Sequence, residues 1–181
     1  MQHLYVDGGV IGRNPSPDGG TWAYCLVDND NETVLLEGSG LLLPYEHGVG
    51  NLVTNNQTEY LAMLRGLQAL PSGWRGVVRT DSQITLGRFA WVGWKTANIP
   101  DHWVQAGAVA RQRLGAPVTY ELLSGHPSDD ELVRGIGRGL RPVSAWNVYV
   151  DTACQEMART FLEERSGEAA AMRAWQAVGM L

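Results

Sequence analysis

The chain has 181 residues and carries 19 acidic against 14 basic side chains, for a net charge of −5. That length fits one domain with a short appendage and needs no disulfide or structural metal to fold. No apolar run reaches a membrane span, and the Met1–Asp7 segment lacks a basic patch followed by a long apolar stretch, so a cytoplasmic protein is expected rather than a secreted one.

His3 to Val6 reads as a strand running into Asp7-Gly8-Gly9. A Gly/Pro/Asn-rich turn from Gly12 to Gly20 leads to a second strand, Thr21 to Val27, and Asp28-Asn29-Asp30-Asn31 turns into a third, about Thr33 to Leu42. Three strands joined by short turns imply an antiparallel meander. After a loop from Pro44 to Val53, Thr54 and Gln57 form a capping-box pattern ahead of a helix with Tyr60, Met63, Leu64 and Leu67 at helical spacing. Pro71-Ser72-Gly73 ends it, Gly76 to Thr80 is a short strand delivering Asp81, and Ser82 starts a helix ending near Gly87 or Phe89. Asp101 to Leu114 is expected to be helical, Pro117 to Leu123 a fifth strand, and Gly125 to Val143 an unusual insertion with Gly135, Gly137, Gly139 and Pro142, one reading of which is a solvated loop. A long helix follows from Ala145 to about Glu164. Ser166-Gly167 is expected to break it, dividing a domain over residues 1–165 from a helical tail over 166–181. Strands followed by alternating helix and strand imply an α/β fold with a mixed sheet.

Cys25 and Cys154 are too few for a disulfide framework or a zinc site and are expected to be half-buried thiols. The acidic balance argues mildly against a nucleic-acid partner, but acids gathered around cations would be neutralised locally. Basic charge is almost all arginine, with Lys95 the only lysine.

Four acids occupy telling positions. Asp7 interrupts an apolar strand, Glu59 sits in the first turn of a capped helix, Asp81 ends a strand, and Asp151 lies within Trp146-Asn147-Val148-Tyr149-Val150-Asp151. Each alone has an ordinary reading as a solvated, capping or dipole-facing group. Together they suggest a cation site, because carboxylates in apolar settings are costly unless paired or metal-bound. Hard carboxylate oxygens suit Mg²⁺ or Mn²⁺.

Five motifs in order carry a resemblance: Tyr5-Val6-Asp7-Gly8-Gly9, Thr54-Asn55-Asn56-Gln57-Thr58-Glu59-Tyr60, Thr80-Asp81-Ser82-Gln83, Ser124-Gly125-His126-Pro127, and Asn147-Val148-Tyr149-Val150-Asp151. Gly12-Arg13-Asn14-Pro15 with Gly19-Gly20, and Gly93-Trp94-Lys95-Thr96-Ala97, echo it further. Over roughly residues 3 to 165 the chain resembles type-1 ribonuclease H. The resemblance implies a five-stranded mixed sheet, its first three strands antiparallel, with helices on both faces. It implies a metal-dependent endonuclease that cuts the RNA strand of RNA–DNA hybrids and leaves 5′-phosphates. Asp7, Glu59, Asp81 and Asp151 would hold two Mg²⁺ ions, replaceable by Mn²⁺, about 4 Å apart across the scissile phosphate. His126 would assist the leaving group, and Asn14, Thr54, Asn55, Asn56 and Gln83 would touch the phosphate or the RNA 2′-hydroxyls. Side-chain amides both donate and accept, as the 2′-hydroxyl does. Two rival readings stay open: a nuclease of the same fold that acts on DNA, and a binding module without catalysis. The expected oligomeric state is a monomer.

The sequence departs from that family in three places. The stretch matching the family's lysine-rich, DNA-gripping protrusion, Arg88 to Trp103, is a shortened handle with only Arg88 and Lys95 as bases. Trp91, Trp94 and Trp103 there are expected to pack in the core. An insertion separates His126 from Asp151 and carries Arg134, Arg138 and Arg141, candidates for replacing the handle by contacting phosphates. The tail from Ser166 to Leu181, with Met172 and Trp175, would dock on the body or mediate self-association.

Overall fold

The computed structural model describes residues 1–30, 32–91, 94–115 and 118–178. Strands β1 (Gln2–Val10), β2 (Gly20–Asp28) and β3 (Thr33–Leu42) form the expected meander, with β1–β2 and β2–β3 both antiparallel. Strands β4 (Val77–Thr80) and β5 (Thr119–Leu122) add in parallel, so the five-stranded order is β3-β2-β1-β4-β5. Central β1 is apolar on both faces, as a strand covered on two sides must be. Leu4 and Val6 join the main core, while Tyr5 joins a smaller cluster on the opposite face.

Helix α1 (Asn55–Ala69) fills the main-core face with Leu61, Met63, Leu64 and Leu67. Each such fully buried side chain contributes on the order of 1.5–3 kcal/mol. Its start is the predicted capping box, the Thr54 side chain accepting from the Gln57 N–H and the Gln57 side chain accepting from the Thr54 N–H at 2.9 Å. Helices α2 (Gln83–Ala90) and α3 (Asp101–Leu114) complete this layer, α2 capped by Ser82 and α3 ended by left-handed Gly115. Trp103 is buried in the core, but Trp91 and Trp94 are exposed and lie against each other with ring centroids 5.2 Å apart. Core packing thus holds for one of the three tryptophans.

On the other face, α5 (Ala145–Val178) packs Val150 and Cys154 against Tyr5, Ala23, Cys25, Val27 and Leu123. Both cysteines are free and fully buried rather than half-buried, and burial pushes both thiols up to about 12. The predicted break at Ser166-Gly167 does not occur, since α5 runs unbroken through 34 residues. One helical glycine costs about 1 kcal/mol relative to alanine, which the flanking Glu- and Ala-rich turns offset. Residues 163–176 are all exposed, so this described part of the tail is not buried against the body.

The insertion between Gly125 and Val143 has structure rather than being loop throughout. It contains α4 (Asp129–Arg134), capped reciprocally by Ser128 and Glu131, and a 3₁₀ turn at Arg138–Leu140. Another 3₁₀ turn, Glu46–Gly48, interrupts the 44–53 loop. Asn31, Gly93 and Pro117, which enter the predicted turn, the handle motif and the fifth strand, lie outside the described residues, as do residues 179–181. No helix among the described residues is long and apolar enough to cross a membrane.

Candidate active site

The parallel pairing of β1 with β4 ends at the Tyr5–Arg79 rung, and each strand delivers an acid beyond it. Asp7 lies two residues past that rung on β1, and Asp81 directly follows β4. The carboxyl end of parallel strands is where open α/β sheets place ligand chemistry. Helix α1 brings Glu59 from one face and α5 brings Asp151 from the other. Glu59 lies past the first turn of α1, not within it, so the helix dipole does not account for it.

Two glycines permit the convergence. A Cβ on Gly8 would stand 2.4 Å from the Thr58 carbonyl carbon and 2.5 Å from the Glu59 nitrogen, so only glycine lets β1 lie on the backbone of α1 beside Glu59. A Cβ on Gly125 would meet Asp81 Oδ2 at 2.6 Å, which brings the segment after β5 onto that carboxylate.

Each acid is held by its own donors. The Gly8 N–H donates to Asp7 Oδ1 at 2.8 Å. Asn55 Nδ2 donates to Glu59 Oε1 at 2.6 Å, and the Ser82 hydroxyl donates to Glu59 Oε2. Thr85 Oγ1 approaches that same oxygen at 3.5 Å. Asn147 Nδ2 donates to Asp81 Oδ2 at 3.2 Å, and Gln155 Nε2 to Asp151 Oδ2 at 2.9 Å. Exposed His126 places Nδ1 3.7 Å from Asp151 Oδ2, on a residue with left-handed backbone, φ 46°.

The electrostatics unite the four. Asp7 is held well above the ordinary carboxylate range, first by burial and then by the charges of Asp81, Asp151 and Glu59, against the opposing Gly8 N–H. Burial likewise raises Glu59 to about 7, with the Ser82 hydrogen bond opposing and the charge of Asp81 adding. Among the described residues, no three His, Cys, Asp or Glu side chains are already posed as a metal cage. Donors instead hold both oxygens of Glu59 and one oxygen each of Asp7, Asp81 and Asp151.

The remaining predicted residues divide by place. Asn14 Oδ1 accepts from the Asn55 N–H at 3.1 Å, tying the loop after β1 to the start of α1. Thr54 commits its hydroxyl lone pair to the cap, Asn56 is half-buried, and Gln83 is exposed at the start of α2. Arg134, Arg138 and Arg141 are exposed on the insertion.

Ser82, Thr85, Asn147 and Gln155 were not anticipated as partners of the acids. A signal existed for two of them: Asn147 and Gln155 stand four residues before and after Asp151, hence on its helix face. Asn147 is 2% exposed, and its Oδ1 has no partner among the described residues.

No family model matches the chain. A ribonuclease H from Tolumonas auensis is 32% identical over 146 residues, spanning 72% of this chain and 86% of that protein. LC11-RNase H1, isolated from compost by a metagenomic approach, superposes with a TM-score of 0.64 at 18% identity, covering 90% of this chain and 98% of that one. The complex of LC11-RNase H1 with an RNA/DNA hybrid gives a TM-score of 0.51 at 20% identity, covering 69% and 86%. The structural likenesses concern the fold; the kinship with the Tolumonas protein extends to sequence over 72% of this chain. The chain belongs to the ribonuclease H family.

Proposed function

We propose that this chain hydrolyses the RNA strand of RNA–DNA hybrids, with Asp7, Glu59, Asp81 and Asp151 holding two divalent cations. The observation that carries the reading is the crowding of buried Asp7 by three further carboxylates. Like charges gathered in a low-dielectric site are relieved by a proton or a cation, and an all-oxygen donor set selects hard ions such as Mg²⁺ or Mn²⁺. Bound there, such ions supply charge neutralisation at the scissile phosphate and a more acidic attacking water.

The chain's own groups divide the remaining work. Asn55, Ser82 and Asn147 orient Glu59 and Asp81, the carboxylates that would hold the ions. His126, beside Asp151 and open to solvent, is placed to hand a proton to the departing 3′-oxygen. The amides of Asn14, Asn55, Asn56 and Gln83 surround the start of α1 and α2, and they serve as donors and acceptors for 2′-hydroxyls. A relative of the same fold crystallised with an RNA/DNA hybrid supports this choice of substrate.

The test is cleavage of end-labelled substrates in Mg²⁺: an RNA–DNA hybrid, duplex DNA and single-stranded RNA. The expected result is cutting of the hybrid's RNA strand alone, leaving 5′-phosphates. Equal cutting of duplex DNA, or cutting that survives EDTA, would reject it.

A further inference from the structure

The insertion between His126 and Asp151 is folded and fastened to the rim of the site. Left-handed Gly135 ends α4, the chain pairs back through an Ile136–Pro142 bridge, and the Arg138–Leu140 turn closes the loop. Its base is tied to Ser124, whose N–H donates to the Pro142 carbonyl at 2.9 Å and whose Oγ accepts from the Arg138 N–H at 3.1 Å. Ser124 is itself buried, and the next residue, Gly125, lies against Asp81. The backbone of Arg138 is therefore anchored one residue away from a contact with the catalytic carboxylate.

The arginines of this segment are uncommitted. Among the described residues, Arg134, Arg138 and Arg141 make no ion pair, and Arg134 Nε donates only to the Asp130 carbonyl within its own helix. Several guanidinium groups elsewhere have structural partners, Arg79 with Glu121, Arg159 with Glu163, Arg165 with Asp18, and Arg111 and Arg113 with backbone carbonyls, while exposed Arg13, Arg75 and Arg173 stand singly rather than clustered in sequence. The acids of the insertion, Asp129, Asp130 and Glu131, sit in the first turn of α4, at the opposite end from Arg134 and suited to the helix dipole. Segregating sign along so short a segment leaves its glycine-rich half cationic.

We infer that residues 134–141 form a phosphate clamp, in which Arg134, Arg138 and Arg141 grip the backbone of the duplex beside the scissile linkage. A chain of net charge −5 repels a polyanion unless its cations are concentrated where the duplex must lie. Planar guanidinium forks suit phosphate oxygens in pairs. The inference takes its ligand, a nucleic-acid duplex, from the proposed function; it does not depend on cleavage.

The experiment measures hybrid affinity against salt in the non-cleaving Asp7→Asn background, with and without R134A/R138A/R141A. Each lost phosphate contact flattens the log K against log salt slope by about 0.9, so three contacts flatten it by roughly 2.7. The affinity gap between the two proteins then shrinks about fortyfold between 50 and 200 mM salt. The corresponding triple lysine variant keeps the charges and is expected to keep the slope. An unchanged slope in the alanine variant overturns the clamp, as does a lysine variant flattened equally, which would mean a disturbed fold rather than lost charge. Weaker binding from Val133→Ser with Leu140→Ser that itself flattens the slope as fully as the alanine variant, arginines intact, also overturns it. If the parent chain binds hybrid with the expected slope change but cuts nothing, the clamp stands and the proposed function falls. If it cuts hybrid while the slope is unmoved, the reverse holds.

Discussion

Replacing Glu59 by glutamine should make the metal-free protein more stable, and only at neutral to alkaline pH. Burial raises the Glu59 carboxyl from an ordinary 4.5 to about 7 in the folded state. The folded chain therefore binds this proton more tightly than the unfolded chain does. The associated stability is complete below about pH 4.5 and is lost as pH rises through 7. At about 1.4 kcal/mol per pH unit, the penalty for ionised Glu59 at pH 8 is roughly 3 kcal/mol. Glutamine keeps an oxygen to accept from Ser82 but brings an amide towards the Asn55 amide, returning about 1 kcal/mol. The net gain is about 2 kcal/mol, or roughly 4–8 °C in Tm for a chain of this size. Thermal melts of parent and Glu59→Gln in EDTA at pH 5 and pH 8 measure it. Parity at pH 5, a higher Tm for the variant at pH 8, and loss of that advantage in saturating Mg²⁺, where the parent gains binding energy, are expected. A variant equally destabilised at both pH values would refute the reasoning.

Three further outcomes follow from the same geometry. Asn147→Ala removes the side-chain donor on Asp81, and hybrid cleavage should fall 10- to 100-fold, roughly the usual cost of losing a group that orients a metal ligand. The Mg²⁺ concentration for half-maximal rate should rise with it, a change that loose packing alone would not produce. Gly8→Ala forces a methyl into the α1 backbone and should cost about 1–3 kcal/mol or more by urea denaturation; a neutral result would mean that β1 and α1 are not in such close contact. Removing residues 167–181 should leave stability within about 1 kcal/mol, since residues 167–176 are exposed throughout. A Tm drop well beyond about 4 °C would show that the tail supports the body.

The parts legible in the sequence are those governed by local chemistry. Thr54 and Gln57 close the cap that their spacing implies, and α3 runs from Asp101 to Leu114 as its pattern indicates. Asp7 and Asp81 stand out because they interrupt or end apolar strands, Glu59 and Asp151 through the motifs around them, and Asp7 couples electrostatically to the other three. What escaped depends on neighbours distant in sequence. Asn147 looks like any polar residue near a helix start until Asp81, 66 positions earlier, is placed against it. Ser82 reads as an N-cap, which it is, but it also donates to Glu59 on the neighbouring α1. The glycines of the insertion mask a short helix, although Ser128 and Glu131 carry the spacing of a reciprocal cap. Helix α5 continued because a Ser-Gly pair is a weak stop when no proline follows and the next turn is rich in helix formers.

The most direct measurement is the anomalous scattering of crystals soaked in Mn²⁺. Two peaks within bonding distance of Asp7, Glu59, Asp81 and Asp151 carboxylate oxygens are predicted, with at least one lost in Asp7→Asn. Peaks elsewhere on the surface, with these four side chains still held by Asn55, Ser82, Asn147 and Gln155, would contradict the account.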